Sequence, residues 1–157
     1  MEDRNFFENR KTGMSGYGSA HYIIGKKGEI VQCIPEDEVA YHCGSSQADP
    51  ESGRIYTDYA RQKFGKYAED YKNSSPNLCT IGIELSPADL YGNFTSSTLE
   101  SAAELCADIC KRHNLTAQDI TTHHNIVGWK DCPRLWTNKP ELLEDFKNKV
   151  KDRIQNA

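Results

Sequence analysis

Hydrophobic and polar positions alternate in two different rhythms along this chain. Between Thr95 and His113, the residues Leu99, Ala102, Cys106, Ile109 and Cys110 recur at helical spacing and predict a helix. Ser97 followed by Glu100 fits a capping box near its start. A second stripe, Leu142, Leu143, Phe146, Val150 and Ile154, predicts a closing helix over Pro140–Ile154. Elsewhere the runs are short and β-rich. Ser19–Gly25 and Glu29–Ile34 read as two strands of a hairpin around Gly25-Lys26-Lys27-Gly28, and Pro35 stops the second because it cannot donate to a ladder. Cys79–Leu85 reads as a third strand, stopped by Ser86-Pro87, and Asp119–Thr122 as a short fourth one. Residues 2–11 are polar with Phe6 and Phe7 embedded and read as a short helix, and Gly13, Gly16 and Gly18 make a connector after it. The stretch 44–78 is less regular, with a loop over 45–53 and a short aromatic-bearing helix within Tyr56–Tyr71. A hairpin near the start and helices mixed with strands predict an α/β domain, a mixed central β-sheet flanked by helices. Chemistry in such folds sits beyond strand ends.

Composition narrows the class. The 157 residues suit one domain spanning 1–157. At 37% hydrophobic and 27% charged, the chain has globular rather than disordered composition. A net charge of −4 argues against a nucleic-acid surface, which needs clustered Lys and Arg. No apolar run approaches the ~18 residues of a membrane span. Met1-Glu2-Asp3-Arg4 does not open a signal peptide, so the expected location is cytoplasmic, or outside after passage through a pore or by lysis. Six cysteines without a secretion signal are expected to be mostly reduced, with Cys106 and Cys110 on one helical face as small buried hydrophobes.

A few residues carry candidate chemistry. His123-His124 follows the short fourth strand, and Lys130-Asp131-Cys132-Pro133 comes soon after. Imidazole and thiolate are good zinc ligands, and a strand-end histidine can converge with a loop cysteine on one ion, although a catalytic zinc usually takes three protein ligands. Glu84 closes an otherwise apolar strand, where Thr80, Gly82 and Glu84 share one face and Ile81, Ile83 and Leu85 the other. It reads either as a general base or as a solvated, salt-bridged acid. Lys130 is either an oxyanion stabiliser or a surface lysine. His42 is a substrate contact, a metal ligand or a loop histidine bonded to backbone. His21 reads as a packed strand histidine and His113 as a helix-end cation without a functional role. Trp129 and Trp136 flank the Cys132 loop, as a groove wall for a glycan or peptide or as plain packing.

In this order the pieces resemble the zinc-dependent N-acetylmuramoyl-L-alanine amidases of the amidase-2 type, which include phage endolysins, autolysins and peptidoglycan recognition proteins. The resemblance runs from about Phe6 to about Val150. It rests on Ser19–Gly25 and Gly28–Gln32 as the first hairpin, on Pro35–Gly44 as the loop that often reads Ala-Trp-His-Ala-Gly, on Ile81–Leu85 as the glutamate strand, and on His123–Pro133 as the segment with two zinc ligands and a lysine. It implies a peptidoglycan hydrolase that cleaves the amide between N-acetylmuramic acid and the L-alanine of the stem peptide. Glu84 and Lys130 would be catalytic, His42 would line the substrate groove, and His123 and Cys132 would bind Zn2+. A hairpin tyrosine assists catalysis in some relatives; Ala20 stands there in this chain, which leaves that role to Glu84.

Two departures from the family pattern shape the expectations. The family's first zinc-binding histidine ends a strand before the 2–11 segment and has no counterpart here, so the sequence reads as N-terminally truncated, with His21 or His42 as substitute ligands. The loss of that strand predicts an exposed sheet edge and dimerisation through it. Second, counting forward from Ile120 gives His123 as the ligand and counting back from Lys130 and Cys132 gives His124; the reading adopted is His123, with Trp129 as an inserted loop residue. The alternative function is a non-catalytic peptidoglycan-binding module, or a remnant with an incomplete zinc site.

Overall fold

A computed structural model describes residues 18–70 and 74–156. The helix expected over 2–11 and most of the glycine connector lie outside the described residues. The chain divides into two compact units. The first gathers the described residues of Met1–Ile23, Val31–Glu84 and His123–Lys130; the second gathers those of Ile24–Ile30, Leu85–Thr122 and Asp131–Ala157.

Three short strands, β1 (Tyr22–Ile24), β2 (Ile30–Gln32) and β3 (Ile83–Leu85), form a sheet of order β2-β1-β3. The β1–β2 pair is the expected hairpin, closed by Gly28 N–H donating to Gly25 O at 3.0 Å. Across β1 and β3 the numbers rise together, with Tyr22 N to Gly82 O at 3.1 Å and Ser86 N to Ile24 O at 2.9 Å. That pair is therefore parallel and the sheet mixed, so the α/β class with a mixed sheet is the observed one. All three strands are shorter than the sequence suggests. β2 ends at Gln32 because the N–H groups of Cys33 and Ile34 both turn to His21 O. β3 starts late because Pro76–Leu78 is a 3-10 turn and Cys79 N–H bonds back to Pro76 O.

The first unit's helical parts are brief. Helix α1 (Asp58–Phe64) begins where the Thr57 side chain accepts from Ala60 N–H, and it stops at Gly65, whose φ of 53° suits glycine. A 3-10 turn over Gly65–Ala68 follows. Ala60 and Ala68 pack with Cys43, Tyr56, Ile126 and Val127 in the unit's core.

The second unit is built on two longer helices, α2 (Ser96–Arg112) and, at the end of the chain, Pro140–Gln155. Ala102, Ala103, Cys106, Ile109 and Cys110 are buried on the first, and Leu143, Phe146 and Val150 on the second. The α2 cap differs from the expected Ser97/Glu100 box. Thr95 holds the extended cap conformation and accepts from Thr98 N–H at 3.0 Å, while Glu100 pairs with Lys149 and Arg153. The Thr95 and Thr98 hydroxyls donate to Lys26 O and Gly25 O, which seats the hairpin turn on the start of α2. Gly28 is needed there twice over: its φ is +83°, and a Cβ would lie 2.9 Å from Ser97 O.

One further expectation is corrected, and for Trp136 the packing alternative is the one observed. Asp119–Thr122 is not a strand. The Asp119 carboxylate takes the N–H and hydroxyl of Thr116 at 2.9 Å each and folds Ala117–Asp119 into a 3-10 turn, after which the chain enters the short helix α3 (His123–Val127). Trp136, in α4 (Arg134–Asn138), is no groove wall. It is buried, 5.6 Å from the Phe94 ring and 5.0 Å from the Phe146 ring, and Pro140–Gln155, now α5, supplies Phe146.

Candidate active site

The first unit holds four of the five residues singled out for chemistry: His42, Glu84, His123 and Lys130. Cys132 belongs to the second unit, where it is half-buried, outside any disulfide, and joined to Pro133 by a cis peptide.

His42 is locked by its neighbours. Its Nδ1 faces Asn77 Oδ1 at 3.3 Å and its Nε2 faces Thr80 Oγ1 at 3.1 Å. Asn77 Oδ1 is the hub, because it also accepts the backbone N–H of His42 at 3.0 Å and of Cys43 at 2.9 Å. Those two bonds identify the atom as oxygen rather than nitrogen. The Thr80 hydroxyl in turn reaches Pro76 O at 2.7 Å. A neutral imidazole and one hydroxyl bring two hydrogens to these three contacts. The two shorter contacts place them as Thr80 O–H to Pro76 O and His42 Nε2–H to Thr80 Oγ1, leaving Nδ1 bare beside Asn77 Oδ1. Burial, and then the neighbouring His21 and His123, push the His42 pKa down to about 3, so the ring is neutral at physiological pH.

Gly82 makes this packing possible. A Cβ built on it would lie 2.0 Å from His42 Cδ2, so the ring lies against the bare backbone just before β3. Thr80 and Gly82 thus face His42 as the strand alternation predicts, and Glu84, half-buried in β3, is the next residue in that alternating series. His21 lies beneath: its ring is 5.7 Å from that of His42, its Nδ1 accepts from Gly82 N–H at 2.9 Å, and its Nε2 donates to Glu38 O at 3.0 Å. It is the packed strand histidine the sequence suggests, with both ring nitrogens engaged.

The two adjacent histidines of α3 are held differently. His123 Nε2 donates to Gly44 O at 2.9 Å, whereas His124 Nδ1 donates to Lys130 O at 3.1 Å. Burial and the Lys130 charge bring the His123 pKa down to about 4, against a raising contribution from its bond to Gly44 O. Each ring is thus anchored on a carbonyl through one nitrogen and keeps the other, Nδ1 in His123 and Nε2 in His124, as the lone-pair nitrogen, which is the way proteins orient an imidazole toward a metal. Trp129 lies half-exposed, its indole N–H donating to Ser45 Oγ at 2.8 Å. Among the described residues, no group of three or more His, Cys, Asp or Glu side chains is placed to hold a metal.

Asn77 and Thr80 together set the position of the His42 ring. The strand alternation placed Thr80 on the Glu84 face, but nothing in the pattern pointed to Asn77, whose role depends on contacts 34 and 35 positions away.

Glu84, Lys130, His42 and His123 thus lie in one unit, with both of these imidazoles neutral at physiological pH. The chain belongs to the N-acetylmuramoyl-L-alanine amidase family (Amidase_2), whose profile matches residues 2–135. It is 31% identical to the N-acetylmuramoyl-L-alanine amidase CwlL of Bacillus licheniformis over 99% of this chain and 38% of that protein. It is 29% identical to the N-acetylmuramoyl-L-alanine amidase BlyA of Bacillus subtilis (strain 168) over 96% of this chain and 37% of that protein. The chain therefore spans well under half the length of these relatives. No solved structure matches it.

Proposed function

We propose that this chain is a peptidoglycan amidase that hydrolyses the bond between the lactyl group of N-acetylmuramic acid and the L-alanine of the stem peptide. The observation that carries the reading is the packing of the first unit. There the residues leading into the Glu84 strand lie against His42, and Lys130 acts on His123, within the stretch matched by the amidase family.

In this reading the Glu84 carboxylate takes a proton from water as its oxygen attacks the lactyl carbonyl. The Lys130 ammonium stabilises the oxyanion that develops. Collapse breaks the C–N bond, and Glu84 returns the proton to the departing α-amino group of L-alanine. Any contact of His42 with substrate is through its ring edge, because both ring nitrogens already face protein partners.

The family is generally zinc-dependent. A catalytic zinc takes three protein ligands, and no such group exists among the described residues, so no step above runs through a metal. His123 and His124 each hold one ring nitrogen on a backbone carbonyl and leave the other bare, so both meet the usual requirement for an imidazole ligand.

The test is the appearance of new N-terminal alanine in purified cell walls incubated with the protein in zinc-containing buffer, beside Glu84→Gln. Release by the parent chain and a loss of 100-fold or more in Glu84→Gln, on the order expected for removing a catalytic base, supports the reading. Equal release by both proteins would remove Glu84 from the mechanism.

A further inference from the structure

We infer that Asn77 is a positioning residue of the proposed active site: its side-chain oxygen fixes the His42–Ser45 segment, which in turn orients the His123 ring and the backbone leading into Lys130. This role rests on the amidase reading only for the chemistry of Lys130.

Every residue involved lies within the first unit. A tight turn presents Asn77. The Ser75 hydroxyl accepts from Asn77 N–H at 3.2 Å, and Pro76 opens the 3-10 turn Pro76–Leu78. Pro76 O then takes Cys79 N–H at 3.1 Å and the Thr80 hydroxyl at 2.7 Å. From this turn the buried Asn77 sends Oδ1 to three donors: His42 N–H at 3.0 Å, Cys43 N–H at 2.9 Å and the Cys43 thiol at 3.2 Å. Two consecutive N–H groups converging on one atom leave the backbone between them little freedom to turn. Past the buried Cys43 side chain the loop is exposed at Gly44, Ser46 and Gln47, so polar bonds rather than packing set its direction.

The next two residues carry that direction to the candidate chemistry. Gly44 O accepts from His123 Nε2–H at 2.9 Å, which puts the ring's hydrogen on Nε2 and leaves Nδ1 as the lone-pair nitrogen. Ser45 Oγ accepts the Trp129 indole N–H at 2.8 Å, and Ser45 is itself held by Gln47 N–H at 2.9 Å and Gln47 O at 2.7 Å. Trp129 directly precedes Lys130, whose own carbonyl accepts from His124 Nδ1–H at 3.1 Å. Four successive residues, His42 to Ser45, thus each bond to a different part of the site, and Asn77 holds the first two.

The test compares the parent with Asn77→Ala, Asn77→Asp and Ser45→Ala, each checked for fold by circular dichroism. Imidazole 15N–1H spectra report which nitrogen of His123 carries the hydrogen. Initial rates of N-terminal alanine release from purified cell walls in zinc-containing buffer give kcat and KM. Asn77→Ala leaves both N–H groups without their acceptor; it should lower kcat about 100-fold with little change in KM, and His123 should lose its single Nε2–H form. Asn77→Asp keeps an oxygen acceptor and should recover both the His123 signal and kcat to within about tenfold of the parent. Parent-like kcat and His123 signals in Asn77→Ala overturn the inference, as does an equal loss in the Ala and Asp variants. Should Asn77→Ala not fold, Ser45→Ala decides. It removes only the Trp129 acceptor and should lower kcat about tenfold at an unchanged melting temperature; a parent-like kcat overturns the inference. Failure of the amidase reading looks different: the parent itself releases no N-terminal alanine, and the His123 spectra alone then decide the role of Asn77.

Discussion

The two units of this chain are stabilised by different kinds of contact. The second is held by apolar stripes on two long helices, with Trp136 wedged between Phe94 and Phe146. Its titratable groups are mostly on the outside, as in the Glu100 pairing with Lys149 and Arg153. The first has no helix longer than seven residues among its described elements and relies on buried polar contacts instead: His21 against Gly82 and Glu38, and Asn77 Oδ1 against the backbone N–H groups of His42 and Cys43 and the Cys43 thiol. Hydrophobic stripes tolerate shifts of a few tenths of an ångström. A polar network in a low-dielectric interior does not, because an unmatched group costs its full desolvation. The unit with the candidate chemistry is thus the one whose geometry is specified by direction as well as by volume.

Substitutions in each unit test this difference. The largest effect is expected in the second unit. Phe146→Ala removes the ring beneath Trp136 and should cost about 3–5 kcal/mol in denaturant unfolding while leaving the His42 NMR signal in place. Gly82→Ala should cost less, about 1–3 kcal/mol as an overpacking change, but should shift the His42 signal because the added methyl lands on the ring. A change in stability without movement of His42 would contradict the packing described.

Acid should act through the first unit. The folded pKa values of His42 and His123, about 3 and about 4, lie below the unfolded value of 6.5. The unfolded chain therefore binds more protons between these values, and the histidine contribution is complete above pH 6.5 and lost as pH falls toward 4 and then 3. Urea midpoints measured across that range should decline, and His42→Gln should flatten the decline. Asn77→Asp replaces the neutral oxygen beside Nδ1 with a carboxylate and should raise the His42 pKa, read by NMR titration. The smallest effects belong to Leu90→Ala and Tyr91→Ala. Both side chains are almost fully exposed at a loop tip, and each change should stay within about 0.5 kcal/mol of the parent.

The same contrast explains how far the sequence could be read. The α2 and α5 helices were legible to within a residue or so, because a 3.6-residue stripe records burial directly. Their caps were less legible: Thr95 and Ser97 are both good cap residues, and only the tertiary bonds of Thr95 to Lys26 O and of Glu100 to Lys149 and Arg153 decide between them. The strands are shorter than their sequence patterns, since their ends are set by bonds such as Cys33 N–H to His21 O that no local pattern contains. The Asp119–Thr122 strand failed because a side-chain cap from Thr116 to Asp119 competed with extended pairing. Strand alternation did place Thr80 and Gly82 on the Glu84 face. The orientation of His124, in contrast, depends on a carbonyl six residues away.

The most direct measurement is the mass and N-terminal sequence of the fragments that the protein releases from purified peptidoglycan in zinc-containing buffer. The account predicts intact stem peptides beginning with a free L-alanine, together with glycan strands that keep the lactyl carboxylate. Fragments cut inside the stem peptide or within the glycan, or no fragments across the full range of zinc concentration, would contradict it.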